Sequence, residues 1–130
     1  MRSKWAGFKS AKYQLLDLGR PAIFLLPAKK LAKKTNGVSL KDDLHFFLLK
    51  NFGAFSASTI PNFGFWKDNA NAVIYDKCIE YEVSFLGKGN IPRLLEKLAK
   101  LAMTIGEDCI YFKAGQYTCL IYPKRQIQNA

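Results

Sequence analysis

The sequence predicts an α+β fold of ferredoxin-like plan: an antiparallel sheet with two helices packed on one of its faces. Two stretches carry capped helical periodicity, and one long stretch alternates apolar and polar residues as a strand does. The elements then follow in the order strand, helix, strand, strand, helix, strand, the split β-α-β arrangement. At 130 residues the chain suits a single core. Ten Phe, six Tyr and two Trp supply apolar surface to offset the entropy lost on ordering, which excludes a disordered chain. The expected organisation is a basic, partly ordered arm over residues 1–19, one α+β domain over 20–124 and a short tail over 125–130.

The first strand is "AIFLLP", a short apolar run. The first helix, over residues 39–53, has Ser39 as N-cap, Asp42 and Asp43 in its first turn and Gly53 at the C-cap. "FSASTIPNFGFWKD" follows as a second, interrupted strand. The third strand is "AVIYDKCIEYEVSFL", in which Val73, Tyr75, Ile79, Tyr81, Val83 and Phe85 alternate with Asp76, Cys78, Glu80, Glu82 and Ser84; one face is buried and one is wet. The second helix, over 91–105, has Pro92 in its first turn and stops at Gly106. Its Ile91, Leu94, Leu95, Leu98, Leu101, Ala102 and Ile105 form one apolar stripe. "CIYFKAGQYTCLIYP" reads as a closing hairpin around Ala114 and Gly115.

The formal charge of +10 is unevenly placed. Residues 1–38 hold nine basic side chains against Asp17 alone, the stretch 39–115 is neutral, and the tail adds Lys124 and Arg125. Such a field suits an acidic partner, either nucleic acid or an anionic protein surface. No apolar run approaches the roughly 20 residues of a membrane-spanning helix, and the start lacks a secretory pattern, so the expected location is cytoplasmic, with no membrane partner. Cys78, Cys109 and Cys119 form no CxxC pair and read as reduced structural thiols, without disulfide or metal; no cofactor is expected.

"AIFLLPA" followed by "DLHFFLLKNFGAF" resembles the first strand and first helix of RNA-recognition-motif domains, about a quarter of the chain. The resemblance implies that Phe24 occupies a base-stacking position. The strand before the second helix departs from that family's aromatic octapeptide: "KCIEYEVSF" sets Glu80 and Glu82 where bases would stack. A wider stretch, with Phe52-Gly53-Ala54-Phe55-Ser56, Gly64-Phe65-Trp66, Asp76 and "GEDCIYF", resembles small uncharacterised bacterial proteins of ferredoxin-like shape.

The candidate nucleic-acid-binding residues are Lys29, Lys30, Lys33, Lys34, Lys12, Arg20, Phe24, Phe63 and Trp66. If residues 27–35 form two helical turns, the four lysines of "LLPAKKLAKKTNG" share one face and can meet successive phosphates; the alternative is a solvated loop. Lysine is a point charge, so such contacts position a backbone rather than read bases. Phe63 and Trp66 are stacking candidates on a loop, weighed against an ordinary place in the core. His45, the single histidine, reads as a half-buried structural imidazole in "LHFFLL". Glu80 and Glu82 stand about 7 Å apart by strand rise, a spacing that two carboxylates working together can use or a wet face can simply display. No nucleophile or dinucleotide motif is present, so no catalytic residue is named. The functional expectation is therefore a small basic module associated with nucleic acid, or regulatory, through its lysine-rich loop. An adaptor for an acidic protein comes second and an enzyme third. The open sheet face is a candidate surface for a homodimer.

Overall fold

The computed structural model describes residues 5–58, 62–67 and 73–124, with only backbone and strand pairing described over 62–67 and 73–76. Strand β1 (Arg20–Pro27) is central. Its Ala22, Phe24 and Leu26 are buried toward the helices, while Ile23 and Leu25 point half-buried to the opposite face. A 3-10 turn, Lys30–Ala32, leads to a small ribbon of β2 (Lys34–Thr35) and β3 (Val38–Ser39). Asn36 and Gly37 link the two with φ of 54° and 83°, the pair of left-handed residues that a type I′ turn demands.

Helix α1 (Leu40–Phe52) begins where the Ser39 hydroxyl accepts the Asp42 amide, and it ends on left-handed Gly53. The interrupted strand follows as β4 (Ser56–Ala57) and β5 (Asn62–Lys67). Both pair with the long strand β6 (Val73–Phe85), β5 along its first half and β4 along its second. Helix α2 (Ile91–Ile105) carries Pro92 at its start and ends on left-handed Gly106. Strands β7 (Ile110–Ala114) and β8 (Tyr117–Ile121) close the chain as the expected hairpin.

The main sheet runs β4-β6-β1-β7-β8, with β5 also on β6, and every pairing is antiparallel. This is the ferredoxin-like arrangement the sequence predicts, with its second strand split and an extra strand at the far edge. Both helices cover the Phe24 face: Leu40, Leu44 and Leu48 of α1 and Leu94, Leu98, Leu101, Ala102 and Ile105 of α2 join one core with Tyr81, Val83, Ile110, Phe112 and Ile121. The helices run antiparallel, because Asn90 at the start of α2 donates to the Asn51 carbonyl near the end of α1, while Lys97 pairs with Asp43 one turn into α1. Lys97 also sits 5.6 Å above the Phe47 ring.

Two expectations are corrected. Residues 27–35 do not form two helical turns; the Asn36-Gly37 turn draws Lys34 and Thr35 into a ribbon, and only one 3-10 turn remains before it. Phe63 and Trp66 lie on strand β5, opposite Lys77 and Ile74, and not on a loop; their side chains fall outside the described residues.

Leu98 is wholly buried in the middle of the α2 stripe. Replacing Leu98→Ala should cost about 2–5 kcal/mol through lost burial and the cavity left behind. Urea unfolding of both proteins measures it, and a loss well under 1 kcal/mol would contradict the packing described.

Candidate functional site

A groove of about 410 Å³ opens at one edge of the sheet. Its walls are the end of α1 with Asn51 and Phe52, the connection through Ala54 and Phe55 to Ser56, the end of β6 from Glu82 to Leu86, and Asn90 at the start of α2. Leu18 of the N-terminal arm completes the rim. The groove exists because β4 is short. Ser56 pairs with Glu82 and Ala57 with Tyr81, so β6 runs on past its partner and leaves Ser84 and Phe85 along an open edge.

The chemistry of the lining is mixed. Glu82 is the one carboxylate in it and projects from the exposed sheet face. Ser56 and Ser84 supply hydroxyls, and Phe52, Phe55 and Phe85 supply ring surface. Asn51 is held rather than loose: its side-chain amide donates to the Phe47 carbonyl at 2.9 Å, and its side-chain oxygen accepts from Arg93 at 3.4 Å. Beneath the groove, Phe55 packs on the His45 ring at 4.7 Å between centroids. His45 Nε2 lies 2.9 Å from the Tyr81 hydroxyl, and Tyr81 stacks on Phe24 at 5.4 Å. His45 thus has the half-buried structural place that the sequence predicts.

The residues expected to meet nucleic acid are not brought together. Phe24 is wholly buried against Tyr81 on the helix-covered face, so its ring cannot stack on a base. Arg20 opens β1 and the lysine turn follows its end, about 23 Å away by strand rise. Lys12 belongs to the exposed arm, where its amide donates to Ser10. Lys29, Lys30, Lys33 and Lys34 do cluster, around the single buried side chain Leu31. Lys30 is already engaged, 2.8 Å from Glu107. Glu80 and Glu82 share the open face, but only Glu82 lines the groove.

Sequence reasoning missed the groove residues Asn51, Ser56, Ser84 and Asn90. The run Phe52 to Ser56 stands out in the sequence by resemblance alone; nothing in its spacing says that β4 begins only at Ser56. Among the described residues, no helix is long and apolar enough to cross a membrane.

No family model matches the chain, and no curated protein matches it in sequence. Two solved structures are similar in fold. A phage SAM lyase in complex with S-methyl-5′-thioadenosine matches with a TM-score of 0.55 at 12% identity, over 87% of this chain and 96% of that one. A phage SAM lyase in the apo state matches with a TM-score of 0.54 at 11% identity, over 87% and 97%.

The layer beneath the groove makes stability depend on pH at both ends. Burial pushes the Tyr81 phenol up to about 12, above the value near 10 that it has when unfolded. The unfolded chain therefore loses that proton first, and the stability carried by the neutral phenol is complete below about pH 10 and drains as pH rises toward 12. His45 is shifted the other way, chiefly by burial and then by the charge of Lys41. Its contribution is complete above about pH 6.5 and declines as pH falls below that. Unfolding free energies measured in urea from acid to alkaline pH should form a plateau between these limits. Tyr81→Phe should remove up to about 1.4 kcal/mol per pH unit from the slope of the alkaline arm. An unchanged alkaline slope would contradict the burial of that phenol.

Proposed function

We propose that this chain is a small-molecule enzyme acting on S-adenosylmethionine or a closely related adenosyl sulfonium, with the groove beside Glu82 as its ligand site. The observation that carries the reading is the composition of that groove, which sets one carboxylate among aromatic rings and hydroxyls. Its volume of about 410 Å³ falls in the range of small-ligand sites. The match to phage SAM lyase over nearly the whole of both chains supports it, as does the thioadenosine held in one of those structures.

Five of the groove's side chains have a matching part in such a ligand. The rings of Phe52 and Phe55 offer flat apolar surface to a purine, and the Ser56 and Ser84 hydroxyls offer hydrogen bonds to a ribose. The Glu82 carboxylate complements the positive sulfur. When the bond between sulfur and the amino-acid arm breaks, its electron pair leaves on sulfur while an oxygen of the ligand's own carboxylate bonds to the carbon released. The sulfonium becomes a neutral thioether and the arm closes to a lactone. A fixed carboxylate stabilises the sulfonium and not the thioether, so Glu82 acts in substrate capture and in product release more than in the bond-breaking step.

Calorimetry with S-adenosylmethionine and with S-methyl-5′-thioadenosine tests the reading, together with chromatographic detection of the thioether formed from the sulfonium. Both ligands should bind. Glu82→Gln should weaken the sulfonium about tenfold, the equivalent of roughly 1.4 kcal/mol, and change the thioether little. Failure of the wild type to bind either compound would end this reading.

A second reading, association with nucleic acid through Lys29, Lys33 and Lys34, is favoured by the buried Leu31, which fixes the turn that carries them. The Lys33 carbonyl also accepts the Leu40 amide at 2.8 Å, so the turn is anchored at both ends. A labelled single strand titrated at two salt concentrations should bind the wild type more weakly at the higher one, and Lys33→Glu with Lys34→Glu should abolish binding. Equal affinities for wild type and variant would leave the lysines as a solvated turn.

A further inference from the structure

We infer that the N-terminal arm of one copy of this chain seats on the open sheet face of a second copy. The inference shares Glu82 and Leu18 with the ligand reading but is tested by mass, so the two readings fail separately.

The arm is folded but not buried. Residues Ala6–Phe8 form a 3-10 turn, Ser10 bridges to Tyr13, and the Tyr13 hydroxyl donates to the Phe8 carbonyl, which together bend the arm into a hook. Gly19, at a φ of 86°, sets the direction of this hook; a Cβ there would lie 1.9 Å from the Phe85 carbonyl oxygen. None of the described residues 5–19 is buried, yet the hook displays Trp5, Phe8, Tyr13, Leu15, Leu16 and Leu18, with Leu16 83% exposed and Phe8 61% exposed. Ordering a segment costs about 1–2 kcal/mol per residue, which burial of such side chains would offset. A display of this kind marks a contact surface.

The matching surface is the sheet face turned away from the helices. Register sets Ile23 beside Glu82 and Lys113, Leu25 beside Glu80, and Tyr111 opposite Leu120. Glu80, Glu82, Tyr111 and Leu120 are exposed in the same chain whose hook is folded, so the chain's own hook leaves these positions of the face uncovered. Charge selects the occupant. The hook carries Lys9 and Lys12 against Asp17, and the face carries Glu80 and Glu82 against Lys113, so the two surfaces of one chain complement each other in sign as well as in apolar character. A second copy supplies both in equal number. Reciprocal seating gives a two-fold dimer, and head-to-tail seating closes a ring.

Sedimentation equilibrium of the full chain should return a multiple of 14.7 kDa. Removal of residues 1–16 should return the single-chain mass, with thermal melting followed by circular dichroism to establish that the domain is still folded. Lys9→Glu with Lys12→Glu should raise the dissociation constant about tenfold, and adding Glu80→Lys with Glu82→Lys should restore it. The charge reversals decide the matter even if the shortened chain does not fold. A single-chain mass for the wild type, an assembly indifferent to the arm, or no recovery in the fourfold variant would overturn the inference.

Discussion

Phe24 and Tyr81 face each other across the β1–β6 pair, with their rings 5.4 Å apart and 10° from parallel, and the surrounding layers are referred to that stack. A stacked aromatic pair contributes about 0.5–1.5 kcal/mol beyond the area it buries, but its larger effect is positional. Tyr81 extends from the sheet to α1, where its hydroxyl meets His45. His45 in turn carries Phe55, and Phe55 is a wall of the groove. The sheet, the first helix and the candidate site are thus joined by four side chains in contact. A buried hydroxyl without a partner would cost about 1–3 kcal/mol, so His45 is held at this spot in α1 by the need to satisfy Tyr81.

The basic charge of the chain takes no part in that run of contacts. The excess charge is carried by the arm, by Arg20 at the start of β1, by the turn after β1 and by Lys124 and Arg125 of the tail. Within the domain the charges offset one another locally: Lys97 pairs with Asp43, Lys100 with Glu96 and Lys30 with Glu107. Exposed pairs of this kind contribute little to stability, typically under about 1 kcal/mol each. Their value here is placement, since Lys30 ties the lysine turn to the segment that enters β7.

Both helices were legible in the sequence because their ends are written in single residues. Ser39 and Gly53 bound α1, and Gly106 stops α2, at the positions the sequence predicts. The long strand was legible through its alternation. The sidedness of β1 was not, because Ala22 to Leu26 is apolar at every position and a period of two leaves no trace in a uniform run. Phe24 therefore read as readily toward solvent as toward the helices. The helical alternative for the lysine turn fails for a different reason. Its spacing fits a helix, but Asn36-Gly37 is the stronger local signal, and a tight turn there commits the residues on either side to a ribbon. Glu82 and, by resemblance, the run Phe52 to Ser56 were visible in the sequence, but the groove that joins them was not, since it follows from where β4 begins and not from any residue type.

The length of β6 is what makes that ending matter. It spans thirteen residues, while the edge beside it is shared by a strand of six and a strand of two. A long strand with incomplete cover presents backbone donors and acceptors that another chain can pair with, a hazard that natural sheets blunt. Here the connection from α1 blunts it, folding Phe52, Ala54 and Phe55 against the open stretch beside Ser84 and roofing the edge instead of extending the ladder. A roof of rings beside a strand end that pairs with β1 alone, with Glu82 among its walls, is a recess with both apolar and hydrogen-bonding surfaces. Protection of a sheet edge and formation of a ligand site are then one structural event, and it is the shortness of β4 that produces both.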